Sequence, residues 1–588
     1  MALFPPRHAL LACLTLCLLT ACGGGGGGDP AAPTPPPVVV VEKPATRNEA
    51  ARFLTQATFG PVDVDIDRVM AVGYAAWIDE QLALPAANVH RTHWQARDQE
   101  LRAVDPNAKA FGDQVLESFW KQAVTAPDQL RHRVAFALSQ IFVISMVDGG
   151  VADNTRAVAA WLDMLGNQGL GRYRDLLETV SLHPMMGVYL SHLRNQKADA
   201  RTGRVPDENY AREVMQLFSI GLVELNPDAS AKLVDGKMVD TYTPADISGL
   251  AKVFTGWSWS CPDWPNNSCF FNGSLDGASD PDRSFAPMVG YPQYHSKDEK
   301  RFLSATVPVQ ATADPAASLR VGLDTLAAHP NVGPFIGRQL IQRLVTSNPS
   351  ADYVRAVAAV FANNGSGVRG DMKAVVKAVL MHPEARVLSN TSGKLREPVL
   401  RLSALLRAFT FRSDTGHWRV GNTESASTSL GQAPLRSPSV FNFYRPGYVP
   451  PGTQAATAKL VVPEMQITHE SSVAGYVNAV RDGLSLGIGS VNTTVGGVPL
   501  NRRDIQPDFS PELALATDPA ALVDRVLARL TYGNNNDALR AELVQAVNSI
   551  SVPLVTPLNQ AQIDAAKRNR VNAALLLTLV SPEFLVQQ

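Results

Sequence analysis

Cysteine is scarce, with five residues in 588. Cys13 and Cys17 sit inside the apolar N-terminal run and Cys22 at its end, so the body keeps only Cys261 and Cys269. That leaves no zinc-ribbon spacing and no disulfide framework. Net charge is also lacking: 53 basic residues stand against 54 acidic ones, a formal charge of −1. A nucleic-acid surface needs a basic excess, and none exists here. Charged residues make up 18% of the chain, below the usual figure of about 25%, as expected of a large body with much interior. Past the N-terminus no apolar run approaches the ~20 residues of a membrane span. Strand-like alternation is nearly missing, and no internal repeat stands out.

What is present begins with an export signal. Residues 1–21 carry one Arg and no acid, then apolar and small residues from Ala9 to Ala21, the pattern of a cleaved signal peptide. The run ends in Leu19-Thr20-Ala21-Cys22, which resembles a bacterial lipobox with Cys22 as the lipid-bearing first mature residue. Residues 22–45 are Gly-rich, then Pro- and Val-rich, and read as a tether with a reach of roughly 80 Å. Gly23 replaces the Asp that retains such proteins at the inner membrane, so the outer membrane of a Gram-negative envelope is the expected location.

The body is mainly α. Apolar residues recur at helical spacing over 50–59, 69–84, 114–124, 127–145, 152–165, 173–182 and 186–193. The same pattern returns over 317–328, 332–345, 351–363, 372–381, 398–409, 470–484, 518–530, 537–549 and 560–580. Thr46 and Glu49 form a capping box, and Thr243-Pro244 opens a helix running to about Trp257. Asp63, Asp65 and Asp67 alternate but lack the Gly and Glu of a calcium loop, so they read as a solvated turn. Asp235-Gly236 between short apolar runs predicts one β-hairpin over 232–240. Two long irregular loops cover 258–300 and 412–451. Two helical subdomains, 46–310 and 311–588, are expected from length.

The stretch 207–221 reads as one helix, with Asp207 at the cap and Gly221 as a left-handed terminus. Tyr210, Val214, Leu217 and Phe218 form its apolar stripe. Asn209, Glu213 and Gln216 share one flank, and Glu208 and Arg212 pair at i,i+4 on another.

Six ordered stretches together resemble one family. They are Ala51 to Pro61, Leu130 to Gln140, Asp207 to Gly221, Phe254 to Trp257, Gly393 to Pro398 and Ser437 to Phe441. The resemblance is to the bacterial domain-of-unknown-function family 1800 and spans about residues 46–588. It implies a mainly helical exported protein, often encoded beside an exported sulfatase-like protein, which makes such a protein an expected partner. Asp207 stands where the family usually shows Asn, and both residues cap helices. His295 matches the family's loop histidine, although the Gly and Pro expected after it are absent.

Two chemistries compete for the 207–221 helix. Glu208 and Glu213, joined by His295 or His183, would make an acid–base or metal cluster, although no His-Glu-x-x-His spacing ties them together. Alternatively, Asn209, Arg212, Glu213 and Gln216 join Arg131 or Arg133 in a buried polar network that holds helices in register. No cofactor or particular metal is indicated. Gly483 to Gly487 fits the nucleophile-elbow spacing but follows a helix, not the strand that motif needs. His183, His329 and His382 each precede Pro at a helix boundary and read as caps bonding backbone carbonyls.

Cys261 and Cys269 predict a local disulfide within the 258–300 loop. Trp257, Trp259, Trp264, Phe270 and Phe271 on that loop either form a partner-binding surface or fold back as a pinned lid. The favoured expectation is a tethered envelope lipoprotein that binds another exported protein through this loop. The alternative is a helical hydrolase acting on an envelope or extracellular polymer.

Overall fold

Caps and glycines divide this chain into helices largely where its sequence places them. The structure, a computed structural model, describes residues 42–588 apart from 276–277, 280–281, 390–391, 492 and 496–497. The signal, Cys22 and most of the tether lie outside the described residues. Thr46 accepts the Glu49 amide at 3.2 Å and opens the helix Arg47–Ala57. Gly60 then lets the chain pass the helix Pro398–Ala408, where an added Cβ would stand 2.8 Å from Ala404 Cα. Thr243 accepts the Asp246 amide and Pro244 takes the first helical position of Pro244–Ala251.

Among the described residues there are 26 α-helices, and every sheet is a two-stranded pair. The expected hairpin forms, with Leu233 opposite Met238 and positive φ at Asp235 and Gly236. Cys261 and Cys269 are disulfide-bonded, with Cα atoms 5.7 Å apart. No helix among the described residues is long and apolar enough to cross a membrane.

Two local readings need correction. Asp63 to Asp67 is not a turn leading into one long helix. Helices Asp63–Val72 and Tyr74–Ala83 are separated by Gly73 at φ 88°, with Asp63 and Asp65 in the first turn. Acids are stabilised at that end of a helix. Arg529 meets Asp63 at 2.7 Å and Arg407 meets Asp65 at 3.1 Å. The helix Val89–Val104 was not anticipated, because His90 is its only fully buried residue and it shows no continuous apolar stripe.

One cluster of buried apolar residues runs from Ala50 to Phe584 and draws on both sides of position 310. The helix Val332–Leu344 lies against it through Ile336, Leu340, Ile341 and Leu344. Burying such side chains contributes roughly 1.5–3 kcal/mol each, which fixes the helix and whatever its other face presents. The chain end is tied in beside it. Val586–Gln587 pairs with Lys394–Leu395, and Gln587 Nε2 donates to Leu344 O at 2.8 Å.

Candidate functional site

The central helix is shorter than its sequence pattern, running Asn209–Gln216, and Asp207 accepts the Asn209 amide at 2.8 Å. Past Gln216 the coil widens: Phe218 N donates to Glu213 O, and Ile220 N to Met215 O. Gly221 closes it at φ 74°, as expected of a left-handed terminus. A side chain there would strike the Phe335 ring at 2.9 Å, so the glycine also admits that ring. Buried Asn331 then pins the next turn. It donates to Ile220 O and Val223 O, both at 2.8 Å, and accepts the Leu225 amide at 2.9 Å.

This turn is one wall of a cleft of about 570 Å³, within the range of ligand sites. Val440, Phe441, Arg445, Pro446 and Gly447 also line it, as do Gln140 and Ile141. The floor is one face of the helix Val332–Leu344, made by Phe335, Arg338, Gln339, Gln342 and Arg343. These positions recur at i, i+3, i+4, i+7 and i+8, a single helical stripe that is mostly polar where its neighbour is apolar.

Beneath the floor lies a buried ionic layer. Glu397 Oε2 accepts from Gln140 Nε2 at 2.6 Å, Gln432 Nε2 at 2.7 Å and Tyr444 OH at 2.8 Å. Lys394 pairs with Glu464 at 3.1 Å and also donates to Arg343 O at 2.9 Å. Arg133 reaches the same carbonyl at 2.6 Å, and Arg343 donates to Gln140 O at 3.0 Å. Burial pulls the Arg133 and Arg343 guanidinium groups below their ordinary pKa, with Glu397 opposing. It pushes the Glu464 carboxyl up, against the attraction of Lys394. Arg133, Arg343 and Lys394 thus share this buried layer with the carboxylates of Glu397 and Glu464.

Several buried polar atoms at the floor have no partner among the described residues: Gln339 Nε2, Arg343 Nε, Gln342 Oε1 and Gln140 Oε1. Their residues are 4–8% exposed. Buried groups of this kind are normally bonded, because leaving one unmet costs about 1–3 kcal/mol.

A family profile described as "Protein of unknown function (DUF1800)" matches residues 52–586. The chain belongs to this family. No curated protein and no solved structure matches it. Four of the stretches that carry the DUF1800 resemblance meet at the cleft and its ionic layer. They supply Arg133 and Gln140, Gln216 to Gly221, Lys394 and Glu397, and Val440 and Phe441.

The DUF1800 chain arranges the residues singled out from its sequence differently from either expected cluster. Glu208 is half-buried, accepts from Ser248 and lies 3.8 Å from Arg212. Glu213 is buried with Oε2 unpartnered, and burial raises its pKa. His295 is fully buried and bonded at both ring nitrogens, to Thr255 O at 2.7 Å and Ser318 Oγ at 2.9 Å. Burial takes its pKa down to about 4. It is a neutral cross-link, and among the described residues no hydrogen bond or ion pair joins it to Glu208 or Glu213. No three His, Cys, Asp or Glu of the described residues form a group able to hold a metal.

The expected polar network does not assemble around Glu213. Gln216 accepts from Tyr242 at 3.1 Å and Asn209 reaches Ser191 at 3.5 Å. Arg212 is half-exposed, and Arg131 bonds Gly166 O and Leu84 O. Only Arg133 enters a buried network, the one beneath the cleft.

His183 and His382 do cap helix starts and His329 follows a helix end, but each accepts an amide two residues on rather than bonding a carbonyl. Free donors are what the start of a helix offers. The loop aromatics divide. Trp257, Trp259 and Phe270 are buried, whereas Trp264 is 49% and Phe271 41% exposed. Phe270 stacks on Tyr294 at 3.9 Å, and Tyr291 OH donates to Trp259 O. The loop is thus largely folded onto its own body.

Proposed function

We propose that this DUF1800 protein is a tethered binding component of the bacterial cell envelope that holds an exported partner in the cleft beside the central helix. The lipobox-like Leu19-Thr20-Ala21-Cys22 supports a lipid anchor and, with Gly23, an outer-membrane location. A sulfatase-like exported protein is the partner that family association points to. The observation carrying the reading is a cleft of about 570 Å³ whose lining joins Arg338, Arg343 and Arg445 to an apolar wall and includes no carboxylate of the described residues. Since Trp257, Trp259 and Phe270 are buried, the contact surface is assigned to the cleft instead.

The test is recovery of the tagged full-length chain from gently solubilised membranes beside a Gly447→Trp variant. Gly447 lines the cleft, and a Cβ there meets nothing within 4 Å, so a bulky side chain is introduced beside the cleft without displacing the fold. A stoichiometric exported partner held by the wild type and lost from the variant supports the reading. A partner that stays on Gly447→Trp, or none at all, overturns it.

A second reading, hydrolysis of an envelope or extracellular polymer, has one observation in its favour: the buried, unpartnered carboxyl of Glu213, one helical turn from Gln216 at the cleft. Glu213→Gln would then abolish turnover of that polymer without unfolding the chain.

A further inference from the structure

We infer that the cleft takes an acidic, apolar-bearing polypeptide segment, its apolar side chain seated between the walls and its carboxylates against Arg338 and Arg445. The inference rests on the binding reading above and specifies its ligand.

Charge comes first. Arg338, Arg343 and Arg445 line the cleft, and no carboxylate of the described residues does. Arg338 is half-buried, and among the described residues it has no hydrogen-bond or ion-pair partner. Its pKa is lowered by burial alone. Arg445 is exposed and stacked over the Phe441 ring at 4.4 Å, which holds its guanidinium at the rim. Guanidinium groups so placed, with no carboxylate of the described residues lining the cleft, select a carboxylate- or phosphate-bearing ligand.

The lining amides then narrow the class. Gln216, Gln339 and Gln342 line the cleft beside the arginines, and a side-chain amide offers both donor and acceptor. A peptide unit brings one N–H and one C=O and matches both, whereas a fatty-acid carboxylate brings only acceptors. The apolar lining supplies the rest. Leu217, Leu222, Val223, Leu225, Val440 and Phe441 line the cleft, a mostly aliphatic surface suited to a Leu or Phe side chain rather than to the hydroxylated face of a sugar.

The experiment is fluorescence polarisation of labelled peptides with the full-length chain in detergent. One probe alternates Glu with Leu and Phe over about ten residues, a second carries Lys in place of Glu, and dodecanoate serves as an unlabelled competitor. The acidic peptide binds and the Lys peptide does not. Arg445→Glu, an exposed position where folding is not at stake, weakens the acidic peptide by about tenfold or more, and Arg338→Gln weakens it as well. Gly447→Trp removes the signal. Equal binding of both peptides, displacement by dodecanoate, or an Arg445→Glu variant that binds as the wild type does would each overturn the inference. If no peptide binds but the membrane partner is still lost from Gly447→Trp, the ligand chemistry is wrong and the binding reading survives. If neither peptide nor partner is held, both fall.

Discussion

Arg133 Nη2 donates to the backbone carbonyl of Arg343 at 2.6 Å, joining two buried arginines 210 positions apart in the chain. The contact sets the helix Val332–Leu344 over the ionic layer, and so turns Gln339, Gln342 and Arg343 toward the cleft.

Glu397 is the carboxylate the layer is built around, since three donors converge on its Oε2. Glu397→Ala leaves Arg133 and Arg343 buried beside orphaned donors, and should cost about 3–5 kcal/mol. Denaturant unfolding measures this, and a loss below about 1 kcal/mol would show that the layer is not structural.

Asn331→Ala deprives the Leu225 amide and the Ile220 and Val223 carbonyls of their side-chain partner. The expected loss is about 1–3 kcal/mol, with faster hydrogen exchange confined to residues 220–225. Unchanged exchange in that turn would mean the cleft wall is held by other contacts.

The Glu213 carboxyl has a folded pKa raised by burial, with Arg212 opposing. The native state therefore binds the proton more tightly than the unfolded chain, and stability falls as pH rises from the unfolded value, roughly 4.3, through the folded one. Glu213→Gln should be more stable than wild type at pH 7, with the gap closing below about pH 4. A Gln variant less stable at pH 7 would show that the ionised carboxylate has a stabilising partner.

His183, His192 and His295 are held neutral by burial, with pKa values lowered to about 3, 4 and 4. The unfolded chain binds protons at these sites near pH 6.5 and the native chain does not. Their stabilising contribution is full above that pH and is lost as pH falls toward 4. Asp163, raised to about 6 by burial, acts in the opposite direction. Proton uptake on unfolding at about pH 5.5 should drop by nearly one in His295→Gln. No drop would place a protonated His295 in the native state.

Local signals made much of the fold legible. The Thr46 and Thr243 caps, the Asp235-Gly236 turn and Gly221 were each readable because the residue itself fixes the backbone. The helix Val89–Val104 was not, since its burial is partial and its pattern polar. The cleft was hidden for another reason. Arg338, Gln339, Gln342 and Arg343 repeat at helical spacing within a segment that reads as an ordinary helix, and a polar stripe opposite an apolar one looks like a solvated face. Only tertiary packing shows that this face lines a cleft. His295 illustrates the converse. Its type and loop position point to chemistry, while its two bonds to Thr255 and Ser318 make it a strut.

The most direct test of the central claim is photocrosslinking in intact membranes, with a benzoylphenylalanine at Gly447 in the cleft or at Trp264 on the exposed part of the disulfide loop. The account predicts that an exported protein is captured from position 447 and not from 264. Capture from 264 alone would return the contact surface to the loop and contradict the cleft as the binding site.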